Sequence, residues 1–227
     1  ERDSAFSTGL NFRLRIFHYL RESNSMKNFK LIAAMFLVFG ILFGLVSYIQ
    51  DRKQTVKLAA TEIATPYDVG DFHLTDTKGQ AFTKAQLLGK YTVLYFGFTR
   101  CPDACPTTLA QFRAELPKLT PEAQKKVQFV MISIDPQSDT LHILKQYVEG
   151  FHKDIQAATG TDAELHKIAG YMKSTYDRKE ENAGDPNLYM MAHSQRYYLV
   201  DPQARLSAVY NPPLDPGALS SDLNNLA

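Results

Sequence analysis

The sequence predicts an α/β domain with a mixed sheet, carried behind a single transmembrane helix. Three observations point there: two apolar runs of strand length, helical patterns between and after them, and one long uncharged apolar stretch near the amino terminus. A chain of 227 residues, 44% apolar and 22% charged, is long enough for one globular domain plus an appendage. Its formal net charge of +1 gives no ground for expecting a nucleic-acid partner. Its two cysteines are too few for a dense disulfide framework, so a packed core has to hold the domain.

Taken in order, residues 1–30 read as a cytoplasmic segment. Residues 1–25 mix arginines with acids, unlike an organellar transit peptide, and "MKNFK" from Met26 reads as the true start of a bacterial signal anchor. "LIAAMFLVFGILFGLVSYI", residues 31–49, has no charge and is long enough as a helix to cross roughly 30 Å of hydrocarbon. It is longer than a signal-peptide core and no small-x-small cleavage site precedes "DRK", so it is expected to stay as an anchor. Arg13, Arg15, Arg21, Lys27 and Lys30 precede it, which orients the domain outward. Residues 50–65 are polar without an apolar face and read as a tether ending at Pro66.

The folded domain is expected over residues 66–227. "KYTVLYFGF" (Lys90 to Phe98) and "VQFVMISID" (Val127 to Asp135) are apolar, β-branched and aromatic runs that suit buried strands. Between them, Leu109, Phe112 and Leu116 recur at helical spacing. Leu141, Leu144 and Val148 do so after the second strand, with Ser138 or Asp139 as the expected cap. Asp162 to Tyr176 reads as another helix, and Arg196 to Tyr210 as two strands joined by a turn at Asp201 to Ala204.

In "YFGFTRCPDACPTTL", residues 95–109, both cysteines stand where a central strand ends and a helix begins, the edge at which open α/β sheets place their sites. If the chain turns helically from Pro102, Cys101 and Cys105 share one face and can bind one ligand or be oxidised together. The helix terminus and Arg100 are expected to lower both thiol pKa values, and thiolates are what soft metals bind. A plain structural disulfide is the competing reading, but a bridge across so short a loop removes little chain entropy.

These residues resemble the Sco/SenC family, the membrane-anchored copper chaperones of cytochrome c oxidase assembly. "FHLTDTKGQAFTKAQLLGKYTVLYFGFTRCPDACPTTL", "SIDPQSDT" (Ser133 to Thr140), "TGTDAELHKIAGYM" and "AHSQRYYLVDP" (Ala192 to Pro202) resemble family motifs in the family's order. The resemblance implies a thioredoxin-like fold in which Cys101, Cys105 and His193 bind one copper ion, Cu(I) or also Cu(II). It implies delivery of that copper to the binuclear centre of the copper-accepting subunit of cytochrome c oxidase. Another copper chaperone or a thioredoxin-like reductant is a further expected partner. Two thiolates and an imidazole are a soft set suited to Cu(I), although Zn(II) fits such a set too.

The sequence departs from the family at Ala192, where aspartate is common. Asp135 and Asp139 match its acidic element, with a strand-end turn and a helix cap as their ordinary roles. Met190 and Met191 read as packing, and His18, His73, His142, His152 and His166 as ordinary residues. Two alternatives stay open beside copper delivery: a dedicated thiol-disulfide reductase acting through a redox-active Cys101, Cys105 pair, and a redox or copper sensor. The expected setting is a bacterial inner membrane with the domain in the periplasm. The alternative is a mitochondrial inner membrane facing the intermembrane space.

Overall fold

The computed structural model describes residues 31–47, 58–180 and 189–227, with the side chains of Glu180 and Met190 set aside. The expected cytoplasmic segment 1–30, the first part of the tether and residues 181–188 lie outside them. Residues 31–47 form helix α1, which at 1.5 Å per residue is about 25 Å long. Among the described residues no helix is long and apolar enough to cross a membrane. Residues 48 and 49, which complete the expected span, lie outside the described set.

The chain from Val56 to Ala227 forms its own compact unit. Its main sheet contains β1 (Thr61–Asp68), β2 (His73–Asp76), β3 (Ala81–Thr83), β4 (Tyr91–Gly97), β5 (Val127–Ser133), β6 (Ile155–Thr159), β9 (Tyr197–Val200) and β10 (Arg205–Tyr210). The strand order is β1-β10-β9-β4-β5-β6-β2-β3. At its centre β4 runs parallel to β5, from Tyr91 opposite Val127 to Gly97 opposite Ser133, and antiparallel to β9, with Tyr95 opposite Tyr197. The sheet is therefore mixed, as expected. A second, two-stranded sheet pairs β7 (Tyr176–Glu180) with β8 (Tyr189–His193).

Helices α2 (Ala104–Glu115), α4 (Leu141–Phe151) and α5 (Asp162–Tyr171) follow β4, β5 and β6, and α3 (Pro121–Lys126) and α6 (Ala218–Leu226) complete the unit. Beyond their first residue β4 and β5 are buried along their whole length, which is why both read as unbroken apolar runs. Phe112 of α2 packs its ring 4.9 Å from Phe129 of β5 and 5.0 Å from Tyr197 of β9. Each such ring removes about 150–250 Å² from water, worth about 4–6 kcal/mol before the entropy of ordering it.

Three boundaries differ from expectation. Strand β1 begins at Thr61, inside the segment read as a tether, and pairs with β10. It is an edge strand with few buried side chains, so it shows no apolar alternation to read. Thr140, rather than Ser138 or Asp139, caps α4, accepting from the Ile143 amide at 3.3 Å. Helix α5 stops at Tyr171, where Lys173 takes a left-handed φ of 50°, and the residues up to Tyr176 lead into β7 instead. Strand β6 and the β7–β8 hairpin were not foreseen, being short and, in β7, largely polar.

Candidate metal centre

The site grows from the carboxyl end of β4. There the chain turns through Phe98 to Asp103 before α2 starts at Ala104, so Cys101 precedes the helix while Cys105 sits in its first turn. The two are not on one helical face, yet the turn brings them together. The Cys101 amide donates to the Phe98 carbonyl at 3.3 Å, and the Cys105 amide points at Cys101 Sγ, 3.5 Å away. Both thiols are free, Cys105 fully buried and Cys101 half-buried. Gly97 makes the close approach possible, because a Cβ there would lie 2.7 Å from the Tyr95 ring and 2.9 Å from Cys105 Sγ.

His193 arrives from a different part of the fold, at the end of β8. Its Nε2 stands 3.9 Å from Cys105 Sγ. The edges of Tyr95 and Phe98 hold the imidazole, with ring centroids 5.9 and 6.0 Å away. Its Nδ1 lies 3.0 Å from the Ser194 carbonyl. A carbonyl can only accept, so that contact puts the proton on Nδ1 and leaves the Nε2 lone pair facing the sulfur. Burial holds the His193 pKa below its ordinary value, which keeps the ring neutral at pH 7.

The expected lowering of both thiols does not hold at Cys105. Burial pushes its pKa up to about 12, against the hydrogen bonds from the Tyr95 hydroxyl and the Phe98 backbone that pull it down. Arg100 gives little help, because its guanidinium is engaged elsewhere, 4.5 Å above the Tyr189 ring and donating to Ser138 at 3.3 Å. Desolvation outweighs the helix terminus.

Around the sulfurs, Asp139 is fully buried and accepts from the Thr99 amide at 3.0 Å, the Thr99 hydroxyl at 2.5 Å and the Ser133 hydroxyl at 2.6 Å. It ties the cysteine turn to β5 and does not cap α4. Asp135, also buried, accepts from the Tyr189 hydroxyl. Met191 is buried, in keeping with packing, while Ala192 is exposed. The carboxylate common at that position in the resembled family would therefore point to solvent. His73, His142 and His166 are exposed and His152 half-buried, and none of them joins the cysteines. Sequence reading missed Tyr95, Gly97 and Tyr189. Only Gly97 carried a signal, as a glycine inside an apolar strand run.

Among the described residues, the one set of three metal-ligating side chains close enough to share an ion is Cys101, Cys105 and His193, with donor atoms all within 4.8 Å of one another. A trigonal ion with bonds of about 2.3 Å to sulfur and about 2.0 Å to nitrogen needs its donors about 3.7–4.0 Å apart. The Cys105 to His193 separation of 3.9 Å already meets that. The donor chemistry, two sulfurs and one imidazole, suits a soft ion.

A strand-turn-helix edge in a mixed α/β sheet, bearing two cysteines and a histidine on a separate hairpin, defines a thioredoxin-like domain with a candidate soft-metal site. The SCO1/SenC family model matches residues 60–227, and the chain belongs to that family. It is 36% identical over 141 residues to "Protein SCO1 homolog 1, mitochondrial" of Arabidopsis thaliana, covering 62% of this chain and 41% of that one. It is 37% identical over 132 residues to a "SCO2-like protein" of Rickettsia felis, covering 58% and 63%. The matches thus span less than two thirds of these relatives' own length. Among solved structures, Bradyrhizobium japonicum ScoI with copper bound aligns with a TM-score of 0.64 at 32% identity, covering 70% of this chain and 99% of that one.

Proposed function

We propose that this chain is a membrane-anchored metallochaperone that holds one copper ion between Cys101, Cys105 and His193 and delivers it to the binuclear copper centre of a cytochrome c oxidase subunit. The observation that carries the reading is the meeting of three donor atoms within 4.8 Å from two distant stretches of chain. A copper-bound relative of the same fold supports it. Two soft sulfurs and one neutral imidazole favour Cu(I). A third ligand held on a separate two-stranded hairpin suits a carrier, which has to let go of its cargo. We place the domain in the periplasm behind an anchor in a bacterial inner membrane; the uncharged apolar run of residues 31–49 supports an anchor, and the basic residues that precede it support that orientation.

Thiol-disulfide exchange on the same oxidase subunit is the second reading, and one observation bears on it. Attack requires an accessible sulfur, and Cys105 is fully buried while Cys101 is half-buried, so this reading assigns the attack to Cys101. That chemistry needs no imidazole ligand.

Titration of the reduced full chain with Cu(I) against a competing chelator, without oxygen, separates the readings. The expected result is one tightly held ion, with Cys101→Ser, Cys105→Ser and His193→Ala each weakening binding at least tenfold. Affinity unchanged by loss of His193 would overturn the three-ligand site and favour the exchange reading.

A further inference from the structure

His193 is brought to the cysteines by a hairpin that belongs to neither face of the main sheet, since β7 and β8 pair only with each other. Side chains alternate along a strand, so Tyr189, Met191 and His193 lie on one face of β8. Tyr189 and Met191 are buried and His193 half-buried, whereas Ala192 between them is exposed. The hairpin therefore docks through that face; at its far end the Tyr176 hydroxyl lies 2.9 Å from His166 Nδ1, and the polar contacts on the side of the cysteines converge on Tyr189.

Four groups grip the Tyr189 side chain. Its hydroxyl donates to the buried carboxylate of Asp135 and lies 2.6 Å from the Ser138 hydroxyl, both in the segment that follows β5. The guanidinium of Arg178, from the partner strand β7, stacks 3.7 Å from the ring centroid, and that of Arg100 stands 4.5 Å from it. Arg100 also donates to Ser138 at 3.3 Å, and Arg178 to Gln137 at 2.8 Å. Arg100 immediately precedes Cys101. One phenol thus joins three pieces of the site: the turn that carries Cys101, the segment after β5, and the strand that carries His193. Cation–π contacts of this kind are strongest where solvent is excluded, and the ring is only 7% exposed.

We propose that Tyr189 is a positioning residue, a latch that seats the β7–β8 hairpin and so delivers His193 to the two cysteines. It deepens the copper reading, on which its consequence for metal binding rests, while the docking itself can be read in the metal-free protein. Removing the side chain frees the hairpin, while the hold of Asp139 on Thr99 keeps the Cys101 turn and α2 keeps Cys105. Copper then sees two sulfurs and no imidazole.

The test uses the reduced full chain and Tyr189→Ala, Tyr189→Phe, His193→Ala and the Tyr189→Ala/His193→Ala pair. In the metal-free proteins, hydrogen exchange should speed up at least tenfold for the amides of β7 and β8 in Tyr189→Ala, with β4 and β5 unchanged. Tyr189→Phe keeps the ring between the arginines and should recover part of the protection. In the copper-loaded proteins, Tyr189→Ala should weaken Cu(I) binding as much as His193→Ala does. The X-ray absorption edge should shift from three-coordinate to two-coordinate copper, and the pair should be no weaker than His193→Ala alone. A folded Tyr189→Ala with parent-like hairpin exchange overturns the latch. Parent-like hairpin exchange in Tyr189→Ala and loss of affinity in His193→Ala together would show that His193 binds copper without it. If His193→Ala instead binds copper as tightly as the parent, the copper reading falls, and faster hairpin exchange in Tyr189→Ala still upholds the latch.

Discussion

The Tyr95 hydroxyl donates to Cys105 Sγ at 3.3 Å, while the ring of the same residue meets His193 edge-on at 5.9 Å. One buried side chain of β4 therefore touches two of the three candidate ligands. Even with that donor, burial leaves the Cys105 thiol at a pKa of about 12, so a metal has to displace its proton. Apparent Cu(I) affinity should consequently rise at least about tenfold per pH unit from pH 6.5 to 8.5. His193, held below its ordinary value by burial, is already neutral across most of that range and adds little to the slope. Competition titrations at three pH values check this, and a flat profile would remove Cys105 thiolate from the ligand set.

Gly97→Ala tests how tightly the sulfur is seated. The new methyl would have to occupy space 2.9 Å from Cys105 Sγ, 2.7 Å from the Tyr95 ring and 3.2 Å from the Met131 methyl. Overpacking of this sort costs about 1–3 kcal/mol. Urea unfolding should show that loss, and Cu(I) affinity should fall with it because Cys105 is displaced. Parent-like stability would mean that the strand end is looser than its packing implies.

Asp139→Ala removes one carboxylate and strands three donors, the Thr99 amide and the Thr99 and Ser133 hydroxyls. Of these only the Ser133 hydroxyl is fully buried, and leaving it unmade costs about 1–3 kcal/mol. For a domain of this size that is a fall in Tm of about 2–12 °C. Calorimetry measures it directly. Since Thr140 provides the helix cap, Thr140→Ala should cost only about 1 kcal/mol, and the two substitutions should be distinguishable by size.

Glu115 contributes to acid stability. Its carboxylate is 1% exposed and receives the Gly217 amide at 2.8 Å, the Ser220 amide at 3.0 Å and the Lys118 ammonium at 2.9 Å, anchoring the start of α6. Burial by itself would raise its pKa, but the donors from Ser220, Lys118 and Gly217 together outweigh it and the pKa is lowered. A lowered carboxylate stabilises the fold above its unfolded value and loses that contribution as pH falls through the folded one. Stability should therefore drop as pH falls below about 4.3. In Glu115→Gln that part of the drop should disappear while stability at pH 7 is already reduced. Denaturant midpoints measured from pH 3 to 7 report both.

The central strands and the helices that follow them were legible because β4 and β5 are buried on both faces and spell that out as continuous apolar runs. The cysteine pair was legible for a similar reason, since a strand end leading to a helix start is a local feature. The hidden elements were those whose environment is set from far away. Edge strand β1 takes its partner from residues about 140 positions later, and Lys179 faces Met190 across a hairpin with no apolar period. The histidine could be singled out only through the family resemblance, because 88 residues separate it from Cys105. The thiol pKa was misjudged because a helix terminus can be read from spacing and the depth of burial cannot.

The unequal exposure of the two sulfurs imposes an order on any exchange at the site. Cys105 is sealed beneath Tyr95 and Gly97, while Cys101 and His193 border solvent. Were an ion held by these three residues, an incoming ligand would reach it from the open side, at His193 or Cys101, with Cys105 the residue placed to hold it from below. On the proposed function, the last bond to break would be the one furthest from the acceptor, and an ion held this way would pass between the two proteins without being free in solution.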